Sequence, residues 1–264
     1  MTDDIVHLTI ESGVATITLD SPKNRNAISG RMASELTAQL AEAAADPSAR
    51  LVVLTHTGGT FCAGADLSEA SAAGQSIEEA SDSRTRSMVD LMRAILELPK
   101  PVIGKIDGHV RAGGLGLVGA CDIVVAGPPS TFALTEARLG VAASIISLTL
   151  LPRMTSRSAS RYFLTGEKFD AATAESIGLV TMAVPDTTAA VHALAGEIGL
   201  GSPQGLAESK GLVTAPILRE FDVHASDLAA LSARLFRSDE ARAGMMAFLS
   251  KQPAPWAVPA AAGE

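Results

Sequence analysis

The stretch GGLGLVGACD, residues 113–122, decides between two kinds of α/β protein. Its Gly114, Gly116 and Gly119 fit the G-x-G-x-x-G pattern of dinucleotide sites, and Glu136 lies twenty residues beyond Gly116, near the place of a ribose-binding acid. A dinucleotide fold, however, needs a crossover helix within a unit of about 30 residues. The helix here can span only residues 113–120, because Asp122 already begins a strand. We therefore predict a short helix packed closely on a sheet, and nicotinamide binding is disfavoured.

The sequence around this stretch alternates strand and helix patterns. Short apolar or alternating runs are typical of strands, and apolar residues at helical spacing are typical of amphipathic helices. This alternation indicates an α/β fold with a parallel sheet. The predicted elements are a hairpin over 6–10 and 14–19, a helix capped by Ser29, a strand over 51–55, a helix over 88–95, and strands over 101–106 and 123–126.

Two further regions have a different character. Residues 67–83 are rich in Ala, Ser and Glu without an apolar period, which predicts a mobile segment. From Ala189 onward the chain is predicted to be largely helical, with breaks at Pro203 and Pro216.

Composition narrows the class of protein. The 264 residues are 47% hydrophobic and carry a net charge of −8, so a sizeable core is expected and nucleic acid is an improbable partner. The N-terminus has no basic start and no apolar core, and no run of 18 apolar residues occurs, so we expect a cytoplasmic protein without a membrane span. The five histidines have no metal-ligand spacing, and no metal is expected.

Two small-residue loops could present backbone N–H groups to a ligand. Gly113 and Gly114 lie at a strand-to-helix turn, where N–H groups at a helix N-terminus point outward. The loop GGTFCAGADLSE, residues 58–69, follows the strand over 51–55. One N–H group from each loop would form an oxyanion hole, whose natural ligand is a carbonyl that becomes an enolate or a tetrahedral adduct.

At this point the chain resembles the enoyl-CoA hydratase/isomerase (crotonase) family over nearly all of its length. The order and spacing of five motifs carry the resemblance. They are SPKNRNAIS (21–29), GGTFCAGADL (58–67), KPVIGKIDGHVRAGGLGLVGACDIVVA (100–126), FALTEARLG (132–140) and FLTGEKFDAATAESIGLV (163–180).

The resemblance implies a crotonase (ClpP-like) superhelix of ββα turns. It implies a core over residues 1–190 and a helical region over 191–264 that forms trimers, which can pair into hexamers. The ligand would be a CoA thioester, which is substrate, and no separate cofactor is implied. The N–H groups of Ala65 and Gly113 would hold the thioester oxygen. The residues that would contact CoA are Lys23, Asn24, Arg25, Ala27, Ala63, Asp66 and Leu67, with Phe248 and Lys251 reaching a neighbouring subunit's CoA.

The resemblance also identifies a catalytic acid and one departure from the family. Glu136 matches the second glutamate of the family's hydratases, whereas Gly116 occupies the position of the first. One acid can still activate water or move a proton between C2 and C4 of an enoyl chain. The expected activity is therefore enoyl-CoA hydratase, with a Δ3,Δ2-enoyl-CoA isomerase or a thioester-binding protein of little turnover as alternatives.

Three details remain open from the sequence. The run GVAASIISLTLLP, residues 140–152, is more similar to methylglutaconyl-CoA-hydratase-like members than to straight-chain hydratases. Ser144 in this run could bind water or a polar acyl end, or it could cap or pack locally. His109 could line the pocket or be structural, and Cys62 and Cys121 are expected to be buried free thiols.

Overall fold

The computed structural model describes residues 4–66 and 77–258. Strands and helices alternate through the first half, and helices dominate the second. The strands are β1 (Val6–Glu11), β2 (Val14–Leu19), β3 (Leu51–His56), β4 (Thr60–Cys62), β5 (Val102–Ile106), β6 (His109–Arg111), β7 (Ile123–Ala126), β8 (Thr131–Ala133), β9 (Phe169–Asp170) and β10 (Met182–Ala183). The helices are α1 (Gly30–Ala45), α2 (Ile77–Glu97), α3 (Gly113–Ala120), α4 (Ser147–Leu150), α5 (Ser156–Thr165), α6 (Ala171–Ser176), α7 (Thr187–Gly199), α8 (Pro203–Phe236) and α9 (Asp239–Leu249).

The strands form two sheets, and from β3 to β8 successive strands belong alternately to one sheet and the other. The larger sheet has the order β1-β2-β3-β5-β7-β10 and the smaller one β4-β6-β8-β9. The β1–β2 and β8–β9 pairs are antiparallel, and the other pairs are parallel. Each of the pairs β3–β4 and β5–β6 gives one strand to each sheet and is followed by a helix. This repetition is the predicted superhelix of ββα turns, and it places equivalent loops at the same end of the fold.

Most of the predicted elements are confirmed. The hairpin forms with Val6 opposite Leu19, and the Ser29 hydroxyl caps α1 by accepting from the Met32 N–H at 3.0 Å. The short helix α3 has eight residues, and all of them except Gly113 are buried. Such a helix is too short for a dinucleotide crossover, as the sequence indicated.

Two predictions are wrong in detail. Residues 77–83 belong to α2 and not to an irregular segment, because a helix fixed by its packed half propagates into a stretch that contains neither glycine nor proline. Residues 67–76 lie outside the described part of the chain. Pro216 lies inside the 34-residue helix α8 and does not break it. The residue four positions earlier, Leu212, is 78% exposed, so water can satisfy the carbonyl that proline leaves without a donor.

Helix α7 covers the outer face of the larger sheet. Its Val191 packs with Val53, Ile103 and Val125 in a small second core. The predicted boundary between residues 190 and 191 therefore falls inside a helix that packs on the sheet, and the proposed division of the chain remains a prediction.

A buried ion pair fixes the long helix α8 to the sheet. Lys210 Nζ lies 2.9 Å from Asp122 Oδ2 and donates to the carbonyl oxygens of Ile95 and Lys100. The same Asp122 oxygen accepts from the Val102 N–H at 2.7 Å. Burial lowers the pKa of Lys210, and the Asp122 carboxylate opposes that shift. One lysine thus joins α8, α2 and the start of β5.

We expect Lys210→Met to lower the free energy of unfolding by about 3 kcal/mol, because the Asp122 carboxylate would stay buried without its cation. Urea unfolding at a fixed protein concentration measures the change. Arg242→Met is the matched control, since the Arg242–Asp239 pair is exposed and should contribute little. Equal unfolding midpoints for the two variants would contradict this role of Lys210.

Candidate active site

The two small-residue loops predicted from the sequence meet in the structure. Ile28 forms a parallel bridge with Ala65, in which the Ile28 N–H donates to Gly64 O at 2.8 Å and the Asp66 N–H donates to Ile28 O at 3.1 Å. In this pattern the N–H and C=O groups of Ala65 itself point away from Ile28. Ala65 lies beside the second loop, since residues 64 and 65 closely approach Ala112 and Gly113.

The contact between the loops is backbone against backbone. Gly64 has φ +89°, and a Cβ there would lie 2.9 Å from the Ala112 methyl and 3.2 Å from Arg111 O, so only glycine fits. Ala65 N lies 3.9 Å from the point that a Gly113 Cβ would occupy. Neither the Ala65 N–H nor the Gly113 N–H has an acceptor among the described residues. The two N–H groups thus lie close together, and neither is used by the hydrogen bonds of the described part of the chain.

A strained residue sets the direction of the second N–H group. Ala112 caps α3 with φ +47° and ψ −124°, which an L-residue rarely adopts. Its N–H donates to Ala133 O at 3.2 Å, which completes the smaller sheet just before the helix begins. Strain of this kind concentrates at functional sites. Nothing in the local sequence pattern reveals it, because alanine does not signal a positive φ.

Glu136 carries the titratable group of the site. It follows β8 and begins a short 3-10 turn over Glu136–Leu139. The residue as a whole is partly exposed, but its Oε2 is buried and has no hydrogen-bond partner among the described residues. Burial raises the pKa of Glu136 to about 7, against a smaller lowering by its own backbone N–H. A carboxyl with this pKa can both accept and donate a proton near neutral pH.

Apolar side chains surround Gly116, which the resemblance aligns with the first glutamate of the hydratases. A Cβ on Gly116 would lie 2.5 Å from Ile146 Cγ2, 2.8 Å from Met88 Cε and 2.9 Å from Met92 Sδ. The Thr149 hydroxyl, which also adjoins α3, already donates to Gly116 O. A side chain at this position would need these apolar side chains to move, and Gly116 packs α3 as the sequence suggested for the glycines of this helix.

The loop before α1 is joined by hydrogen bonds to the loop that follows β4. Asn24 Nδ2 donates to Asp66 Oδ2 at 3.1 Å, and the Ala63 N–H donates to Arg25 O at 3.1 Å. Sequence reasoning missed Asn26, which is fully buried and donates to the carbonyl oxygens of Thr57 and Thr60. In the sequence, only its position between two predicted CoA-binding residues, Arg25 and Ala27, could have identified Asn26 as part of this region.

The remaining predicted residues fall in several places. Lys23 and Arg25 are exposed beside this loop, and Ala27 is buried within it. Leu67 lies outside the described residues. Phe248 and Lys251, at the end of α9, are exposed, and among the described residues no hydrogen bond or ion pair joins them to residues 22–28.

Other polar candidates are resolved by their contacts. Burial raises the pKa of both Cys62 and Cys121 to about 12, and the free thiols are packing groups, as expected. His109 is exposed and bonds Thr131 Oγ1 at 2.9 Å across the smaller sheet. Ser144 is buried, and its hydroxyl caps nothing among the described residues.

We expect Ala112→Gly to raise the free energy of unfolding by about 1 kcal/mol. Glycine removes the backbone strain at φ +47°, and this gain should exceed the additional conformational entropy that glycine loses on folding. Thermal unfolding measures the change. Ala38→Gly, at an exposed position of α1, is the control and should cost about 1 kcal/mol. Destabilisation of similar size in both variants would show that Ala112 is unstrained.

Comparison with known proteins places the chain in a family. Residues 9–259 match the enoyl-CoA hydratase/isomerase family. A Rhodobacter capsulatus protein named "Probable enoyl-CoA hydratase" is 32% identical over 92% of this chain and 94% of its own length. A crystal structure described as an enoyl-CoA hydratase from Mycobacterium avium is 56% identical, with a TM-score of 0.91 over 97% of this chain and all of the other. A carnitinyl-CoA hydratase from the same species is 28% identical, with a TM-score of 0.82 over 97% of this chain and 99% of that one.

Among the described residues, no helix is long and apolar enough to cross a membrane. The fold of ββα turns, the paired loops and these similarities agree with one another. The chain belongs to the enoyl-CoA hydratase/isomerase family.

Proposed function

We propose that this protein is an enoyl-CoA hydratase that acts on a 2-enoyl-CoA thioester with Glu136 as its one catalytic carboxyl. The observation that carries the proposal is a buried carboxyl of raised pKa that follows Ala133 closely in the chain, where the Ala133 carbonyl accepts from the Ala112 N–H. Ala112 immediately precedes Gly113, and the N–H groups of Gly113 and Ala65 are neighbours without acceptors among the described residues. The Glu136 carboxyl can move a proton near neutral pH, and the two N–H groups can stabilise an enolate.

The thioester oxygen would accept hydrogen bonds from the N–H groups of Ala65 and Gly113. Both donors belong to the backbone and are fixed before substrate binds, so little reorganisation is needed when negative charge develops on that oxygen. The Gly113 N–H is also the first of α3, whose dipole favours negative charge at this end.

Hydration would then need one acid acting twice. As the water oxygen bonds to C3, the Glu136 carboxylate takes a water proton, and the C2=C3 electron pair moves into the enolate on the thioester oxygen. The protonated Glu136 next delivers that proton to C2, the carbonyl re-forms, and the carboxylate is restored. The product is the 3-hydroxyacyl thioester, and no other reactant is consumed.

The predicted CoA contacts are kept as part of this proposal. Lys23, Asn24, Arg25 and Ala27 would bind the adenine and phosphate end, and Ala63, Asp66 and Leu67 would line the approach to the thioester. The connection of this loop to residues 63–66 supports that arrangement. Phe248 and Lys251 are exposed at the C-terminal end, where they could contact a neighbouring subunit of a homotrimer or hexamer.

One observation favours a second candidate, a Δ3,Δ2-enoyl-CoA isomerase. The apolar filling around Gly116 leaves Glu136 as the one carboxylate assigned to the reaction. Moving a proton from C2 to C4 needs a single base and no water. The methylglutaconyl-CoA preference suggested by residues 140–152 remains a prediction about the substrate.

The absorbance of the conjugated thioester distinguishes a hydratase from an isomerase. Crotonyl-CoA, 3-methylglutaconyl-CoA and a 3-enoyl-CoA would be assayed with the wild-type protein and with Glu136→Gln. A hydratase removes the absorbance of a 2-enoyl substrate, and we expect Glu136→Gln to lower kcat by 10²–10⁴-fold, the usual contribution of a general acid–base.

A gain of absorbance from the 3-enoyl substrate alone would assign the isomerase. An unchanged kcat in Glu136→Gln would exclude Glu136 as the catalytic group. No turnover on any of the three substrates, together with tight acyl-CoA binding, would leave a thioester-binding protein.

We also expect the raised pKa of Glu136 to make both the free energy of unfolding and kcat/KM depend on pH. The unfolded chain ionises this group near its ordinary pKa, so the folded state loses stability as the pH rises from about 4.5 to about 7. Glu136→Gln should therefore stabilise the protein by a few kcal/mol at pH 8 and by little at pH 4.5. Conversely, kcat/KM of the wild type should rise with pH through about 7, because the carboxylate is the active form.

Thermal unfolding at pH 4.5, 6 and 8 and a pH–rate profile measure these effects. Glu11→Gln, at an exposed position of β1, is the control for the same chemical substitution outside the site. A difference between Glu136→Gln and wild type that does not change with pH would contradict the raised pKa.

A further inference from the structure

We propose that the Ser144 hydroxyl positions the attacking water beside Glu136, so that Ser144 supplies the second polar contact that Gly116 does not. This inference rests on the hydratase function proposed above. It concerns a positioning residue for the water, and the proton transfers remain with Glu136.

The Ser144 hydroxyl is an unsatisfied group in an otherwise satisfied segment. Ser144 is only 6% exposed, and its Oγ is buried without a hydrogen-bond partner among the described residues. Its N–H donates to Ala142 O at 2.8 Å, and its carbonyl accepts from the N–H and the hydroxyl of Ser147. Because buried hydroxyls nearly always find a partner, the hydroxyl calls for one that comes with substrate or solvent.

Ser144 and Glu136 belong to one loop that borders α3. At the start of the loop, the Ala133 carbonyl holds Ala112, next to the N-terminus of α3. At its end, Ile146 packs against Gly116, one turn further along the helix. Between them, the Val141 N–H donates to Glu136 O at 3.1 Å and closes the loop on itself. The loop thus carries two buried, unpartnered oxygens, Glu136 Oε2 and Ser144 Oγ.

These two oxygens match the needs of a nucleophilic water. Such a water can donate one hydrogen to the Glu136 carboxylate and the other to Ser144 Oγ, which leaves a lone pair for C3. The alternatives next to α3 are unsuitable, because Met88, Met92 and Ile146 are apolar and the Thr149 hydroxyl already has its acceptors.

The other buried unpartnered side-chain atoms of the described residues belong elsewhere. Asn24 Oδ1 lies in the loop before α1, Asp122 Oδ1 belongs to the Lys210 pair, and Arg50 Nε belongs to a side chain that binds Gly201 O. Ser144 is therefore the unpartnered hydroxyl that shares a loop with the catalytic acid.

The test compares a reaction that adds water with one that does not. Hydration of crotonyl-CoA needs the positioned water, whereas exchange of a C2 hydrogen of butyryl-CoA in D2O needs only Glu136 and the oxyanion hole. We expect Ser144→Ala to lower kcat for hydration at least tenfold, with KM and the C2 exchange rate changed less than twofold. Ser144→Cys keeps the shape of the side chain in a slightly larger volume but replaces the hydroxyl by a weak hydrogen-bonding thiol, and it should show the same selective loss.

Two controls accompany these variants. Ser147→Ala removes a neighbouring hydroxyl and keeps that of Ser144. It should leave the hydration rate and the C2 exchange rate near those of wild type. Glu136→Gln should lower both rates by about 10²–10⁴-fold.

Several results would overturn the proposal. Equal loss of hydration and exchange in Ser144→Ala and Ser144→Cys would show that the hydroxyl only supports the loop. A rise in KM confined to 3-methylglutaconyl-CoA would show that it binds a polar acyl end. Unchanged hydration would remove Ser144 from the reaction. If the wild type exchanges the C2 hydrogen but hydrates no thioester, the hydratase function itself fails, and the role of Ser144 fails with it.

Discussion

The close approach of two backbone segments, at Gly64–Ala65 and Ala112–Gly113, is the constraint on which the candidate site depends. It requires glycine at position 64, a positive φ at Ala112 and a parallel bridge between Ile28 and Ala65. The ββα repetition makes the approach possible, because β4 and β6 bring equivalent loops to neighbouring places in one sheet. Side chains only stabilise this arrangement, which explains why small residues dominate both loops.

The C-terminal helices stabilise the loop that carries Glu136. A Cβ on Gly140 would lie 2.7 Å from the Glu240 carbonyl carbon, and one on Gly244 would lie 2.5 Å from Leu139 O. Helix α9 therefore packs against the 3-10 turn of Glu136 with backbone in direct contact on both sides. Helix α8, fixed by Lys210, extends the same layer of helices over α2. The helical part of the chain is thus a structural requirement of the site, whatever its role between subunits.

Local patterns in the sequence predicted the hairpin, the Ser29 cap, the core strands and the length of α3, because period, capping and apolar runs act within a few residues. Tertiary contacts decided what was missed. The helix over residues 77–83 and the continuity of α8 through Pro216 depend on packing elsewhere in those helices. The positive φ of Ala112 and the buried amide of Asn26 depend on distant backbone partners. Similarly, the sequence located Gly116, but only the structure shows Ile146, Met88 and Met92 around it.

The absence of a carboxylate at Gly116 has a chemical consequence for the proposed reaction. With two acids, one can activate water while the other protonates C2, so each needs only one protonation state at a time. With Glu136 alone, the same group must first accept and then donate, and a pKa near 7 makes both states accessible in one cycle. The proton and the hydroxyl would then reach the same face of the double bond, since the same carboxyl activates the water and delivers the proton. In the proposed reaction, the burial that raises the pKa of Glu136 would therefore allow a single acid to do what two acids do in other hydratases.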